Sequence, residues 1–101
     1  MHAHNVYFSL NVASEDTIAA FIADCKTFLA VQPGIVSFVC GVLETALNRP
    51  VNDRDFDVSL HVVFDSRAAH DAYQVAPLHD VFVARQKENW KAVRVFDTAV
   101  R

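Results

Sequence analysis

The chain has 101 residues, of which 52% are hydrophobic and 21% are charged, and its formal net charge at pH 7 is −3. This length fits one domain, residues 1–101, built around a single core. The acidic balance and the scattered basic residues exclude a basic surface for nucleic acid, and no apolar run is long enough to span a membrane. The opening residues do not have the composition of a secretion signal, so we expect a cytoplasmic protein without nucleic acid or membrane partners.

The first two elements are predicted from apolar periodicity. Apolar and polar residues alternate from His4 to Val12, which is typical of a strand with one apolar face, and His4 lies on that face. Ser14 is a good helix N-cap residue, and apolar residues recur after it at helical spacing. We expect this helix to end at Pro33 and Gly34.

Two further strands are predicted in the middle of the chain. The segment from Ile35 to about Thr45 has apolar residues at both odd and even positions, which is typical of a strand covered on both faces. The polar segment Leu47–Asp55 is predicted to be a solvent-facing connection. It leads into a third strand, Phe56 to Phe64, in which every second residue is apolar and lies on one face.

The last third of the chain predicts an interrupted helix and a final strand. Ser66 is placed to begin a helix, which Pro77 interrupts because proline lacks a backbone N–H group. A second helical piece is expected from about Leu78 to Trp90, and a strand from Val93 to Ala99 closes the domain.

The element order βαββαβ predicts an α+β ferredoxin-like sandwich, with one antiparallel sheet and the helices on one face. The opposite sheet face is predicted to expose Tyr7, Phe38 and Val42. Two copies that pair sheet to sheet would cover these residues, so we expect a homodimer, that is, a dimeric α/β barrel.

Several familiar kinds of site have no support in the sequence. Cys25 and Cys40 lie in apolar segments without a CxxC pattern, which favours buried reduced thiols. With only two glycines, the chain cannot form a glycine-rich phosphate loop, and no serine or cysteine nucleophile has a partnered motif. We therefore expect no cofactor.

The histidines outside the last helices are interpreted mostly as structural. His2 and His4 have the spacing that places two rings on one strand face, where they could hold a metal ion, but no third ligand stands out in the sequence and we expect no metal site. His61 is expected on the opposite sheet face, as a hydrogen-bonded interface residue. His70, next to Asp71, is expected on a solvated helix face.

Five segments, in this order, resemble the stress-responsive A/B barrel (Dabb) family. They are HNVYFSL from residue 4, QPGIVSF at 32–38, DFDVSLHVVFDS at 55–66, AYQVAPLHDVF from residue 72, and VRVFD from residue 93. The resemblance covers nearly the whole chain and implies a dimeric α+β barrel. The family includes plant stress-associated proteins and olivetolic acid cyclase, a cofactor-independent enzyme that uses general acid/base chemistry.

The resemblance to this cyclase implies a site formed by His79, Tyr73 and His4. In the resulting hypothesis His79 is the base, and Tyr73 and His4 orient it or donate to the developing enolate, in a pocket between the helices and the sheet. The ligand would be a small carbonyl-containing or hydrophobic metabolite. The chain departs from the family pattern at Ala76, where many relatives carry histidine, and it has no tyrosine in Cys25–Phe28, where the cyclase contributes one.

Two other functions fit the same sequence. The protein could be a non-catalytic stress-response or interaction protein, in which His79 hydrogen-bonds the backbone at the Pro77 break. It could also be a cofactor-independent or haem-linked monooxygenase-like barrel, although no particular residue argues for that chemistry. The sequence alone leaves open whether the protein is an enzyme.

Overall fold

The computed structural model describes residues 1–101 and has one four-stranded antiparallel sheet in the order β2-β3-β1-β4. The strands are β1 (His2–Leu10), β2 (Ile35–Val42), β3 (Val58–Phe64) and β4 (Trp90–Ala99). The helices are α1 (Glu15–Asp24) with a π-helical turn (Cys25–Leu29), α2 (Arg67–Gln74), and α3 (Pro77–Gln86) with a 3₁₀ turn (Lys87–Asn89). This arrangement confirms the predicted ferredoxin-like fold.

The core lies between the sheet and the helices. Alternate residues of the two central strands, β1 and β3, point into it, as their alternating sequences predict. The buried apolar residues are Val6, Phe8, Leu10, Phe21, Cys25, Leu29, Val58, Leu60, Val62, Phe64, Tyr73 and Phe82. The first strand lies two residues earlier than predicted, because the Val12 amide donates to Asn89 Oδ1 and has left the β-ladder.

The first helix ends earlier than its sequence pattern suggests. Ser14 caps it as predicted, since its Oγ accepts a hydrogen bond from the Thr17 amide. After Asp24 the chain widens into a π-helical turn, in which the Ala30 amide donates to the Cys25 carbonyl. This turn brings Cys25 into the core, where it is buried as predicted, whereas Cys40 is only half-buried.

Asp24 ties the first helix to the end of the third. Its carboxylate is buried and accepts hydrogen bonds from Arg85 Nε at 2.8 Å and from Gln86 Nε2 at 2.6 Å. These charge-assisted bonds hold the pKa of Asp24 below its usual range, although burial opposes the shift. The helix layer is thereby fixed at the end of α3 remote from Pro77.

The predicted helix break at Pro77 is confirmed. Pro77 is the first residue of α3, where a missing N–H group costs nothing, and Ala76 before it has extended backbone angles. The chain therefore changes direction between α2 and α3. This change brings the ring of Tyr73 to within 5.0 Å of the ring of His79, measured between centroids.

The predicted composition of the outer sheet face is wrong for Phe38 and Val42. They pair with the fully buried residues Val62 and Val58, so their side chains point to the helix side of the sheet. The reason is a register irregularity between Ile35 and Ser37, which lets Ile35 and Phe38 both face the core. A regular strand would place Ile35 and Phe38 on opposite faces.

The outer face instead presents Tyr7, Val39, His61 and Phe96. Tyr7 was predicted there, and its ring packs edge to face against those of His61 and Phe96. Val39 and Phe96 are more than half exposed. Uncovered apolar side chains on a flat sheet are typical of an association surface.

None of the helices has the length and apolar character needed to cross a lipid bilayer.

Candidate active site

A cavity of about 310 Å³ lies between the helix layer and strands β1 and β4. Its wall is mainly apolar, and the three residues proposed from the sequence, His4, Tyr73 and His79, all line it. The structure therefore brings His4, near the start of the chain, together with Tyr73 and His79 from its last third. Concave, largely apolar cavities with a few polar groups are the usual form of a small-molecule site.

Each of these residues is positioned by a different element. His4 occupies an inward position of β1, Tyr73 lies on the buried face of α2, and His79 is in the first turn of α3. His4 and Tyr73 are buried, whereas His79 is half-buried. The Pro77 break positions His79 so that it lines the cavity instead of facing away from it.

The environment of His79 favours the neutral imidazole. Burial lowers the pKa of His79 below its ordinary value of 6.5, and the nearby charge of Asp80 only partly opposes this effect. A neutral imidazole has an unprotonated nitrogen that can accept a proton. His79 can therefore act as a base near neutral pH.

Tyr73 is suited to donate a hydrogen bond. Burial raises the pKa of its hydroxyl well above the ordinary value, so the hydroxyl keeps its proton. Its ring also contacts His4, with 5.9 Å between the ring centroids. Tyr73 thus lies between the two histidines of the site.

Asp97 orients His4. Its Oδ1 lies 2.7 Å from His4 Nδ1, while His4 Nε2 lies 3.4 Å from Gln74 Nε2. An ionised carboxylate only accepts hydrogen bonds, so His4 Nδ1 carries the proton and Nε2 accepts from Gln74. Burial lowers the pKa of His4, although its bond to Asp97 opposes the shift. The lowered pKa favours a neutral ring held in this tautomer.

The prediction that His70 is solvated is wrong. Its side chain is buried, and its ring lies 4.3 Å from that of His2 and 4.9 Å from that of His4. The adjacent Asp71 suggested a surface position. A better signal was the three-residue spacing from Tyr73, which places both side chains on the same face of α2.

Asp97 is the other site residue that the sequence did not reveal. It continues the alternation of Val93 and Val95, which also line the cavity. Its contact with His4 depends on the pairing of β1 with β4, in which His4 lies opposite Asp97. A pairing between strands at opposite ends of the chain is not visible in either strand by itself.

Trp90 adds an unsatisfied donor to the cavity wall. Its ring packs beside Phe8 and Phe82, and its buried Nε1 has no hydrogen-bond partner. An indole N–H group can only donate, and a buried donor without a partner is costly. A bound molecule with an acceptor oxygen could satisfy this group.

His61 does not belong to the cavity. It lies on the outer sheet face, as predicted, where its Nδ1 is 2.9 Å from Asn5 Oδ1 and its Nε2 is 3.2 Å from Ser59 Oγ. These partners satisfy both ring nitrogens within one chain. Its part in a dimer interface stays a prediction.

The sequence matches the profile of the stress responsive A/B barrel domain over residues 3–100. The chain is a member of this Dabb family. A comparison with curated proteins found no match.

Solved structures share the fold of this Dabb protein at low sequence identity. A Dabb family protein from Mesorhizobium loti is 24% identical over 99% of this chain and 96% of its own, with a TM-score of 0.81. A dimeric ferredoxin-like protein from Thermobifida fusca is 16% identical over 98% of this chain and 90% of its own, with a TM-score of 0.79. A hydroxynitrile lyase from Passiflora edulis is 19% identical over 99% of this chain and 93% of its own, with a TM-score of 0.79.

Proposed function

We propose that this Dabb protein binds a small carbonyl-containing or hydrophobic metabolite in the cavity and, without a cofactor, removes a proton from the carbon next to the carbonyl. The observation that carries the proposal is the position of His79. It is a half-buried histidine with a lowered pKa, and it lines an apolar cavity beside the buried Tyr73. Such a group is a suitable general base.

The proton transfer needs only groups of this chain. The imidazole of His79 takes the proton from the α-carbon, and the electrons of the C–H bond move to the carbonyl oxygen to form an enolate. The Tyr73 hydroxyl donates a hydrogen bond that stabilises the negative oxygen, and His4 keeps the geometry of the site. The enolate then takes a proton back, or its α-carbon forms or breaks a bond, as in a cyclase or a lyase.

The apolar lining supports a ligand with a substantial hydrocarbon part. Phe8, Phe82 and Val95 line the cavity, and only a few polar groups reach it. The unpartnered Trp90 Nε1 would suit a carbonyl oxygen of the ligand. The fold is also compatible with lyase chemistry, since the Passiflora edulis protein is a hydroxynitrile lyase, although function resides in the site and not in the fold.

We also propose that two copies pair through their outer sheet faces. Similar proteins are described as dimeric, among them the one from Thermobifida fusca. The exposed side chains of Val39 and Phe96, together with Tyr7, provide an apolar surface for a second copy. The two free cysteines fit a reducing compartment, so we expect this homodimer in the cytoplasm.

The test is deuterium exchange at the α-carbon. A panel of small ketones and β-keto thioesters is incubated with the protein in D₂O, and loss of the α-proton signal is followed by proton NMR. We expect exchange above the buffer rate for at least one compound. His79→Ala should reduce the rate by about 10²–10⁴-fold, the usual contribution of a general base.

Two outcomes would contradict the proposal. One is that no compound exchanges faster than in buffer, although NMR shift changes show that members of the panel bind. This result would favour the non-catalytic binding protein. The other is that a folded His79→Ala variant exchanges as fast as the wild type.

A further inference from the structure

Four side chains from three elements form a compact group beside the cavity. This histidine cluster consists of His2 and His4 on β1, His70 on α2 and Asp97 on β4, and its candidate ligand atoms all lie within 4.8 Å of one another. Asp97 Oδ1 is 2.9 Å from His2 Nε2, 2.7 Å from His4 Nδ1 and 3.5 Å from His70 Nε2. Three imidazole nitrogens therefore surround one carboxylate oxygen.

The hydrogen bonds of His70 leave one of its nitrogens unsatisfied. His70 Nδ1 lies 3.0 Å from Asp71 Oδ1, and because a carboxylate only accepts, the proton of the neutral ring is on Nδ1. His70 Nε2 is buried and has no hydrogen-bond partner. In the neutral ring its lone pair faces the Asp97 carboxylate at 3.5 Å, and such a contact is unfavourable unless a proton or a metal ion lies between the two groups.

We propose that the histidine cluster binds a divalent transition-metal ion, with Zn²⁺ as the first candidate. The ligands are His2 Nε2, His4 Nδ1, His70 Nε2 and one oxygen of Asp97. Imidazole nitrogen with a single carboxylate is a donor set that suits zinc and its neighbours, whereas Mg²⁺ and Ca²⁺ prefer oxygen. The sequence shows no third ligand beside His2 and His4, but the fold places His70 and Asp97 next to them.

A tetrahedral ion would draw the ligand atoms together, since they now lie up to 4.8 Å apart. Metal bonds of 2.0–2.2 Å to four donors place these donors about 3.3 Å apart. Asp97 Oδ1 is at present closer than this to two of the nitrogens, at 2.7 and 2.9 Å, and slightly farther from the third, at 3.5 Å. If the half-exposed Asp97 side chain moves away from the three rings, a space for the ion opens between them. The ion then replaces the protons in the hydrogen bonds from His2 and His4 to Asp97.

Asp71 acts as a positioning residue for the third ligand. Its Oδ1 accepts from His70 Nδ1 and also from Arg67 Nε, at 2.9 Å. A carboxylate behind a ligating imidazole fixes the ring and increases its basicity. The rings of His2 and His4 pack against that of His70, so all three histidines are already held in place.

This proposal does not rest on the acid/base function of the cavity. His4 would contribute Nδ1 to the metal, so its ring proton would move to Nε2, and the Gln74 amide would turn over to accept that proton through Oε1. His79 is outside the histidine cluster. His79→Ala should therefore bind metal like the wild type whether or not it loses proton exchange.

The test is titration of the chelator-treated full chain with Zn²⁺ in a calorimeter, and with Co²⁺ by visible absorption. We expect one ion per chain, with the visible bands of a four-coordinate Co²⁺ site. His2 and His4 are close enough in sequence to bind metal without the fold, so the deciding variants are His70→Ala and Asp97→Asn. Each should weaken Zn²⁺ binding more than about 100-fold, and Asp71→Asn should weaken it about 10- to 100-fold.

The matched control is His61→Ala, which removes a histidine of the outer face and should bind Zn²⁺ like the wild type. Zn²⁺ should also raise the Tm of the wild type and of His61→Ala, but not that of Asp97→Asn. If His70→Ala does not fold, Asp97→Asn still decides, because the Asp97 side chain is half-exposed. The proposal is overturned if Asp97→Asn binds as tightly as the wild type, if His61→Ala loses binding equally, or if the wild type binds no Zn²⁺ below millimolar concentration.

Discussion

His79 is the residue on which the proposed chemistry depends, and its titration gives a test that needs no substrate. The groups that influence it are Asp80 on its own helix, His4 on β1 and Tyr73 on α2. Burial is the largest effect and it lowers the pKa. We therefore expect the His79 ring to titrate below 6.5 when followed by NMR, whereas a midpoint at or above 6.5 would contradict the assignment.

The same pKa shift gives the direction in which His79 contributes to the pH dependence of stability and of activity. Since the folded pKa of His79 lies below its unfolded value, the folded protein binds fewer protons in this range, and acidification below about pH 6.5 lowers the free energy of unfolding. Denaturant unfolding at several pH values should show a smaller loss in His79→Gln. An equal loss in both proteins would mean that His79 does not contribute. Proton exchange should rise with pH through the same midpoint and then level off.

Tyr73 is expected to act in the transition state. Tyr73→Phe keeps the ring that packs against Phe64 and His79 but removes the hydroxyl donor. Loss of one donor to a developing oxyanion should lower kcat by about 10²–10³-fold, with a smaller effect on KM. If Tyr73→Phe has the same kcat as the wild type, the hydroxyl has no role in catalysis.

At the scale of elements, the turn before β2 packs closely against α2. Gly34 has φ of 85°, and a Cβ added there would lie 2.5 Å from Ala69 Cβ on α2. We expect Gly34→Ala to lower the free energy of unfolding by about 1–3 kcal/mol from the backbone conformation alone, with a further loss from the clash.

Gly41→Ala is the matched control for this prediction. It places the same methyl group on the outer face of β2, where a Cβ would meet no atom of the same chain within 4 Å, so dimerisation is measured alongside stability. Alanine is favoured over glycine within a strand, so we expect stability unchanged or higher by about 0.5–1 kcal/mol. Chemical denaturation of both variants measures the difference, and equal effects would contradict the role given to Gly34.

The elements were more predictable than the contacts between them. The alternation in β1 placed His4 on the core face, and Pro77 marked the break between α2 and α3, because both features arise from local chemistry. The inward position of Phe38 depends on a register irregularity in β2, and the pairing of His4 with Asp97 depends on which strands become neighbours. These properties are decided by tertiary packing, which a local pattern does not encode.

At the scale of the whole molecule, the uncovered sheet face contributes to the small buried fraction of the chain. Only 16 of the 101 residues are buried, and the exposed apolar side chains include Val39 and Phe96 on that face. Pairing two sheets would bury them. The helix face, which carries the cavity, would remain accessible to a ligand.

Val39→Asp tests this arrangement. A charge buried within an apolar interface should weaken dimerisation about 10- to 100-fold, as measured by analytical ultracentrifugation. Val75→Asp makes the same change at an exposed position at the end of α2, and should leave the dimer intact. A folded Val39→Asp variant that remains as dimeric as the wild type would place the interface elsewhere.

The most direct test of the proposed activity compares two histidine variants in the deuterium-exchange measurement. His79 lines the cavity and His61 lies on the outer face, so His79→Ala and His61→Ala remove the same ring from opposite sides of one sheet. With both variants folded, we predict that His79→Ala loses at least about 100-fold in rate while His61→Ala keeps the wild-type rate. Equal rates in the two variants would contradict the assignment of His79 as the base.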